Sequence, residues 1–184
     1  FTLNLNSTGG GTYSWAGPNS FSSALPNPSI TNATPAMSGN YTVTVTNGCT
    51  ATLTVNVVVN PLPAANAGNN LTICNGDVAT LNASGGTNYS WIPSTSLSNP
   101  NIFNPTANPI SNITYTVVVT DANGCINAAS MSITVNPLPV PNAGADVSMC
   151  YGFSTTLNGS GGGNYLWTPA TGLSSDTIFN PAAT

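Results

Sequence analysis

The sequence predicts an all-β protein, and three observations support this prediction. First, Trp15, Trp91 and Trp167 recur every 76 residues, and each follows a Tyr by two positions. Second, apolar and polar residues alternate with a period of two between these markers, which is typical of half-buried strands. Third, turn residues, above all Asn-Gly pairs, separate the alternating segments, as they do in β-hairpins. No segment is predicted to be helical, because Thr, Val, Asn, Gly and Pro dominate throughout.

The repeat divides the 184-residue chain into about 2.4 copies of one unit. The copy at 61–136 is complete, whereas 1–60 lacks its first strand and 137–184 covers the N-terminal part of a third copy. We therefore expect the chain to be a window on a longer array. Within the complete copy, turns are predicted at Asn75–Asp77 and Asp121–Gly124. The predicted strands cover residues 70–74, 78–83, 88–92, 113–120 and 125–135.

The size and strand content of the unit indicate its architecture. Six or seven short strands in about 76 residues, with one Trp on a middle strand, predict a small immunoglobulin-like (Ig-like) β-sandwich. A solenoid or β-helix is the alternative, but its repeats are usually much shorter. The copies meet at Asn-Pro-Leu-Pro, residues 60–63 and 136–139. Proline restricts itself and its predecessor to extended backbone, so we expect the tandem domains to form a rod.

The composition excludes several classes of function. The chain has no Lys, Arg or His, and its formal net charge is −4. Nucleic-acid binding and docking on anionic lipid both depend on basic side chains, so neither is expected. An enzyme is not expected either, because His, Glu and Lys supply most general acids and bases. No apolar segment approaches the length of a membrane span, so we predict no membrane insertion in this segment. We also predict that the chain binds no cofactor.

The charged side chains are four aspartates that are scattered singly along the chain. A calcium site needs six to eight oxygen ligands, including several carboxylates. Single Asp residues beside Gly or Asn more often stabilise turns through their own backbone. We therefore predict no metal site at Asp77, Asp121, Asp146 and Asp176.

The repeated Tyr-x-Trp pairs are predicted to belong to the core. Residues at positions i and i+2 of a strand face the same side, and one Trp per domain on a middle strand usually fills the sandwich. The alternative is a surface on which sugars stack. The predicted core residues are Trp15, Trp91, Trp167, Tyr13, Tyr89 and Tyr165. Candidate sugar-stacking residues are Phe21, Phe103, Tyr151 and Phe153.

Four cysteines without Cys-x-x-Cys spacing indicate disulfides and an oxidising compartment. Cys74 ends the first strand and Cys125 begins the last, so the simplest prediction is a Cys74–Cys125 disulfide within one domain. Cys49 and Cys150 would then have partners outside the window. The ends of the first and last strands often lie at opposite ends of a sandwich, so disulfides between neighbouring domains, or free thiols, stay open as alternatives.

Several motifs resemble a known class of repeat. They are Val-Thr-Asp-Ala-Asn-Gly-Cys at 119–125, Thr-Val-Asn-Pro-Leu-Pro at 134–139, and Gly-Gly-x-x-Tyr-x-Trp-x-Pro at the start of 85–98 and 161–174. Together they resemble the PKD-like and Ig-like repeats of giant Bacteroidetes cell-surface proteins, which include gliding-motility adhesins and type IX secretion cargo. The Trp-Asp-Phe-Gly-Asp-Gly motif of true PKD domains is replaced by Trp-Ile-Pro-Ser at 91–94.

The resemblance implies export to the cell surface and tandem arrays that act as stalks, adhesins or fibres. It also implies an O-glycosylation site at Thr177, because Asp176-Thr177-Ile178 matches the Asp-Ser/Thr-hydrophobic acceptor of that lineage. The sequence therefore predicts a non-catalytic extracellular structural repeat protein that self-associates into a fibre or array on a bacterial surface. The alternative function is a carbohydrate-binding module of a secreted adhesin or enzyme, with surface glycans as partners.

Overall fold

The computed structural model describes all 184 residues, and apart from one 3-10 turn at Pro35–Met37 its regular elements are all strands, which confirms the all-β prediction. Residues 1–60 are called repeat one here; its strands are β1 (Thr2–Asn4), β2 (Thr12–Gly17), β3 (Phe21–Ser23), β4 (Ser29–Thr31), β5 (Gly39–Asn47) and β6 (Cys49–Val57). Repeat two, residues 61–136, contains β7 (Leu71–Cys74), β8 (Ala79–Thr80), β9 (Asn88–Ile92), β10 (Thr106–Ala107), β11 (Ile113–Thr120) and β12 (Ile126–Asn136). Repeat three, residues 137–184, contains β13 (Thr155–Thr156) and β14 (Ala182–Ala183).

Repeat two folds into two sheets that enclose one core. The larger sheet has the order β7-β12-β11-β9, and the smaller sheet pairs β8 with β10. All pairings are antiparallel except β7 on β12, which is parallel and places Leu71 opposite Ile133. Two such sheets around the buried Trp91 form an Ig-like β-sandwich, as the sequence predicts, although Trp91 lies on β9 at the edge of the larger sheet and not on a middle strand.

The strand β8 is shorter than the predicted 78–83. Beyond Thr80, the amides of Leu81 and Ala83 still donate to the carbonyls of Pro105 and Phe103, at 2.9 and 2.7 Å. Proline has no amide hydrogen to return the bond, so the ladder is interrupted at Pro105. The backbone stays hydrogen-bonded there without forming a regular strand.

The core of repeat two follows the alternation along β11. Tyr115, Val117 and Val119 face inward and are fully buried. The residues between them face outward, and Thr116 Oγ1 lies 2.8 Å from Ser130 Oγ across the strand pair. The same period of two therefore builds a dry core on one face and a hydroxyl-coated surface on the other. The other buried residues of this core are Ala67, Ala79, Leu81, Ala83, Trp91, Ala107, Met131 and Ile133.

Repeat one has the same two-layer arrangement around a smaller core. Its sheets are β3-β2-β5-β6 and β1-β4. The buried residues are Leu5, Trp15, Tyr41 and Val43. Tyr41 near the start of β5 donates its hydroxyl to the carbonyl of Met37, 2.9 Å away, which resembles the tyrosine corner of Ig-like domains.

Repeat three contains only one short strand pair, β13 with β14. An isolated bridge joins Asn142 to Ser160, just as Asn66 joins Ser84 in repeat two. Trp167 is half-buried here rather than enclosed between two sheets. The predicted limits of the three domains stay predictions, although each sheet lies within one repeat.

The first connector contacts the domain that follows it. Asn127 Nδ2 at the start of β12 donates to the Pro63 carbonyl at 2.9 Å. On the other side, the Val59 amide donates to Ser38 Oγ at 2.9 Å, which attaches the end of repeat one to its own body. These bonds hold both ends of the Pro-Leu-Pro segment, while the predicted rod arrangement of the whole chain stays a prediction.

Candidate functional site

The outer edge of β6 has no neighbouring strand. In repeat two the equivalent strand, β12, is covered by β7. The consequence is visible in side-chain exposure: Met131 of β12 is 2% exposed, whereas Val55, at the same position of β6, is 47% exposed. Leu53, two residues earlier on β6, is 74% exposed. Repeat one therefore has an open sheet edge with exposed apolar side chains.

Repeat three contains the counterpart of the strand that repeat one lacks. Residues Asp146–Cys150 align with Asn70–Cys74, which includes all of β7, yet they pair with no strand. Val147 and Met149 occupy the positions of Leu71 and Ile73, and they are 53% and 47% exposed.

A cavity of about 690 Å³ lies where repeats one and two meet. Its walls come from the first residues of the chain, from residues 33–35, from the end of β6 with the connector, and from the β11–β12 turn. Cys125 lies in that turn, so its half-buried thiol faces the junction and not the core of repeat two. The lining includes Val57, Val58, Val59, Asn60 and Cys125.

The predicted Cys74–Cys125 disulfide is wrong, and all four cysteines are free thiols. Because β7 runs parallel to β12, Cys74 lies opposite Asn136 at the far end of β12, whereas Cys125 precedes the first residue of that strand. The 11 residues of β12 span about 35 Å at the usual rise per residue. A disulfide requires Cα atoms within about 7 Å, so this pair cannot form within one domain. The exposed Cys49 and Cys150 are unpaired as well, so the structure contains no disulfide.

The three tryptophans are placed differently. Trp15 and Trp91 are 3% and 2% exposed, while Trp167 is half-buried. Trp91 Nε1 donates to the Ile102 carbonyl at 3.0 Å, and Trp167 Nε1 donates to the Ile178 carbonyl at 2.8 Å. In both cases the acceptor follows the Trp by 11 residues.

Trp15 Nε1 is buried without a hydrogen-bond partner. The residue 11 positions after it is Pro26, and the Pro26 carbonyl instead accepts from Ser7 Oγ at 3.0 Å. The loop of repeat one differs in length from that of repeat two, and its carbonyls therefore point elsewhere.

The tyrosines of the Tyr-x-Trp pairs are half-buried at the edge of each core. The Tyr13 hydroxyl donates to the Gly9 carbonyl, and the Tyr89 hydroxyl donates to Gly86 O at 2.8 Å. Tyr165 packs on Phe179, with ring centroids 6.5 Å apart. These side chains close the end of the sandwich with their rings and direct their hydroxyls toward the rim.

The candidate sugar-stacking residues divide into two groups. Phe21 is half-buried and packs edge-on against Tyr41 at 5.5 Å between centroids, so it belongs to the core of repeat one and is removed from the candidates. Phe103 is exposed beside Tyr89. Tyr151 and Phe153 are both exposed and line a cavity of about 620 Å³.

Asp77 and Asp121 accept hydrogen bonds from backbone amides and so stabilise turns. Asp121 Oδ1 accepts from the amides of Asn123 and Cys125, both at 2.9 Å. Asp77 Oδ2 accepts from the Cys74 amide at 3.1 Å. No group of three or more His, Cys, Asp or Glu side chains is close enough to hold a metal ion.

Thr177 is exposed in the loop before β14. Its hydroxyl lies 3.3 Å from Ser175 Oγ, a weak contact that leaves the oxygen accessible to a modifying enzyme. The O-glycosylation of Thr177 stays a prediction.

The sequence contained a signal for the open edge, because the copy at 1–60 lacks residues equivalent to β7. Period-two patterning alone did not show that this strand pairs with the last strand of the domain, in parallel. The junction cavity left no signal in the sequence, since its walls come from four segments that are distant along the chain.

The sheets and cores define the class of this protein: an all-β chain built from Ig-like β-sandwiches. No helix of the structure is long and apolar enough to span a bilayer.

Comparison with known proteins gives the following similarities. No protein-family model matches the sequence, and no curated protein matches it. The N-terminal eight Ig domains of Down Syndrome Cell Adhesion Molecule (DSCAM) isoform 1.30.30 are similar at 16% identity and a TM-score of 0.49, with 98% of this chain and 34% of that chain covered. Three N-terminal domains of the Highly Immunogenic Outer Capsid protein (Hoc) of bacteriophage RB49 are similar at 19% identity and a TM-score of 0.38, with 87% of this chain and 63% of that chain covered. Sidekick-1 immunoglobulin domains 1–4 are similar at 15% identity and a TM-score of 0.34, with 100% of this chain and 61% of that chain covered. This chain thus spans about a third of the DSCAM fragment and less than two thirds of the other two.

Proposed function

We propose that this chain is a non-catalytic, extracellular structural repeat protein, a part of a stalk, adhesin or filament on a bacterial surface. The observation that supports the proposal is the repetition of one sandwich along the chain. The proline-rich connector between repeats one and two is held by hydrogen bonds to both of them. Repeats one and two build corresponding sheets from the same sequence pattern: β2, β5 and β6 match β9, β11 and β12, and the pair β1 and β4 matches the pair β8 and β10. A tandem array of such units transmits force and spans distance without a reactive site.

The proposed array has domain limits at 1–60, 61–136 and 137–184. The motifs shared with Bacteroidetes surface repeats support export, with type IX secretion as the proposed route. The lack of His, Lys and Glu supports a role other than catalysis, because these side chains supply most general acids and bases.

The sheet surfaces suit association between copies. Hydroxyl pairs cover the outer face of β5 and β6, with Thr42 Oγ1 2.9 Å from Thr54 Oγ1 and Thr44 Oγ1 3.3 Å from Thr52 Oγ1. Such a surface is polar yet carries no charged side chain, so charge repulsion does not oppose contact between copies through this face.

Sedimentation velocity over a range of concentrations tests self-association of the full chain. We expect the weight-average sedimentation coefficient to rise with concentration, and electron microscopy of concentrated samples to show linear assemblies. A chain that stays monomeric at millimolar concentration, and shows no assemblies, contradicts the proposed fibre.

The second candidate function is carbohydrate binding, which is supported by the exposed pair Tyr151 and Phe153 beside their cavity. Aromatic faces at a concave surface can stack on sugar rings. A glycan array with the full chain tests this function, and Tyr151→Ala should abolish any saturable signal. Leu166→Ala is the matched control, because Leu166 is an exposed apolar residue of the same repeat. No saturable binding on the array would contradict this candidate.

A further inference from the structure

We propose that Asn47, in the turn between β5 and β6, is a site of self-modification, at which the backbone nitrogen of Gly48 converts the side-chain amide into a carboxylate. An Asn-Gly pair offers the least steric hindrance to this reaction, because glycine has no side chain. The chain contains four such pairs, which begin at Asn47, Asn75, Asn123 and Asn158. The structure distinguishes them by the hydrogen bond that each glycine amide makes.

The reaction requires water and no other reagent. The Gly48 nitrogen loses its proton and forms a bond to Cγ of Asn47, and the side-chain nitrogen leaves as ammonia. Water then opens the resulting succinimide ring at either of its carbonyl carbons. One product is an ordinary aspartyl residue, and the other is an isoaspartyl residue whose backbone is longer by a methylene group. Asparagine is accordingly among the residues that are lost on heating.

The equivalent turn of repeat two has the same residues but is held by hydrogen bonds. Residues 123–125 repeat the Asn-Gly-Cys of residues 47–49. The Gly124 amide donates to the Asp121 carbonyl at 3.2 Å. Asp121 Oδ1 also accepts from the amides of Asn123 and Cys125, both at 2.9 Å. An amide in a hydrogen bond keeps its proton more strongly, so the Gly124 nitrogen is a poor nucleophile.

The turn of repeat one lacks these bonds. It is shorter, and Gly48 alone separates the paired residues Asn47 and Cys49. No carbonyl accepts from the Gly48 amide. A Cβ at Gly48 would meet no atom, so the glycine is surrounded by open space. Its nitrogen is therefore free to lose a proton and to approach the side chain of Asn47.

A neighbouring repeat does not by itself cover a turn at this position. Asn123 and Gly124 are exposed although repeat one directly precedes their repeat. Asn47 and Gly48 are exposed as well. The difference between the two turns therefore lies in the hydrogen bonds within each hairpin.

The other two Asn-Gly pairs divide in the same way. The Gly159 amide donates to the Phe179 carbonyl at 2.6 Å, so Asn158 should be protected as Asn123 is. No carbonyl accepts from the Gly76 amide, so Asn75 should react as Asn47 does.

The products add charge to a surface that has none. The strands β5 and β6 contain no charged residue, and Thr46 and Thr50 flank the turn with their Oγ1 atoms 3.3 Å apart. A carboxylate at position 47 places a negative charge beside this hydroxyl-covered face on every copy. Association through the face should then weaken, because like charges repel. This consequence rests on the proposed self-association, whereas the reaction itself does not.

Mass spectrometry of the aged chain measures the reaction. The folded full chain is incubated at mildly alkaline pH and digested with chymotrypsin, which cleaves after large apolar residues and separates the four pairs into different peptides. We expect Asn47 and Asn75 to react about tenfold or more faster than Asn123 and Asn158. In urea the protecting bonds are absent, and all four should react at similar rates. Equal rates for Asn47 and Asn123 in the folded chain would overturn the proposal, as would an Asn47 that reacts only in urea.

The variant Asp121→Ala tests the cause of the difference. It removes both hydrogen bonds to Oδ1 and should raise the rate at Asn123 severalfold, while the rate at Asn47 stays the same. Asp77→Ala is the matched control, because Asp77 also bonds a turn amide of repeat two but contacts neither Asn123 nor Gly124. An unchanged rate at Asn123 in Asp121→Ala would show that this carboxylate does not protect the turn.

Sedimentation velocity of Asn47→Asp measures the consequence for association. The variant should associate more weakly than the natural sequence, whereas Asn101→Asp, which adds the same charge at an exposed loop of repeat two, should associate normally. If Asn47→Asp associates as the natural sequence does, the fibre stands and the consequence is wrong. If the natural sequence does not associate, the fibre and the consequence both fail, and the rates at Asn47 and Asn123 still decide the reaction.

Discussion

At the residue scale, three tryptophans at equivalent positions in the repeat have different hydrogen-bond partners. Trp91 and Trp167 each bond a loop carbonyl 11 residues later, whereas Trp15 Nε1 is buried without a partner. The segment from Trp15 to Tyr41 is two residues longer than the segment from Trp91 to Tyr115. This difference turns the loop carbonyls of repeat one away from the indole nitrogen, while the Trp15 ring stays buried. Repeat one therefore keeps the burial of the indole without its polar contact, whereas repeat three keeps the polar contact with a half-buried indole.

This difference predicts unequal costs for two equivalent substitutions. Trp91→Phe removes a bond and leaves the Ile102 carbonyl without its donor, whereas Trp15→Phe removes an unpaired polar atom. We expect the free energy of unfolding to fall by about 1 kcal/mol more for Trp91→Phe than for Trp15→Phe. Urea unfolding of the full chain, followed by circular dichroism, measures both. A larger loss for Trp15→Phe would show that the indole of Trp15 is bonded after all.

Tyr115 makes stability depend on alkaline pH. Burial raises the pKa of the Tyr115 hydroxyl, which donates to the Thr95 carbonyl at 2.8 Å. Because the pKa in the folded state lies above the unfolded value of about 10, this contribution to stability is complete below pH 10 and is lost as the pH rises through the folded pKa.

The expected result is a decline in the free energy of unfolding above a pH of about 10 that is steeper in the natural sequence than in Tyr115→Phe. Urea unfolding at a series of pH values measures the slope. Tyr151→Phe, at a fully exposed position, is the control and should keep the slope of the natural sequence. Equal slopes for Tyr115→Phe and the natural sequence would contradict the assignment.

At the element scale, the segment that enters each domain lies directly against the turn before the third strand. In repeat two this contact is made possible by Gly85, whose φ of 106° is in the region that favours glycine. A Cβ at that position would overlap the carbonyl of Ala64. The equivalent Gly161 faces the Val140 carbonyl in the same way, so the requirement belongs to the repeat.

Gly85→Ala should therefore destabilise repeat two strongly, by about 2 kcal/mol or more, because backbone strain and overlap with Ala64 add together. Gly163→Ala is the control, since a Cβ there meets no atom and its backbone needs no positive φ. Thermal unfolding by circular dichroism should show a lower midpoint for Gly85→Ala and little change for Gly163→Ala. Equal midpoints would mean that the entering segment can move away from the turn.

At the scale of the whole molecule, the near absence of charge sets the response to salt. The chain has no cationic side chain, so no ion pair between side chains contributes to its fold. Its four aspartates are far apart in the sequence, and screening their mutual repulsion gains little.

We expect the midpoint of thermal unfolding to change by less than about 2 °C between about 0.05 M and about 1 M sodium chloride. Sodium sulfate at equal ionic strength is the comparison, because it strengthens the burial of apolar surface and should raise the midpoint. A large shift in sodium chloride itself would show that the aspartates act together in the folded state.

The sequence determined the elements that depend on local pattern. Period-two alternation and turn residues located two strands closely, because the predicted 88–92 and 113–120 agree with the bounds of β9 and β11. The Tyr-x-Trp repeat indicated the strands β2 and β9, of which β2 lies inside its sheet and β9 at the edge of its sheet. These features follow from side-chain period and turn chemistry, which act over a few residues.

Only the tertiary structure decided which strands are neighbours and in which direction they run. Period-two patterning defines the face of a strand and is the same for parallel and antiparallel pairing. The parallel placement of β7 on β12 separates Cys74 from Cys125 by the length of a strand, and its absence beside β6 leaves an open edge. Pairing joins residues that are distant along the chain, so it depends on how whole sheets close around a shared core and not on any local signal.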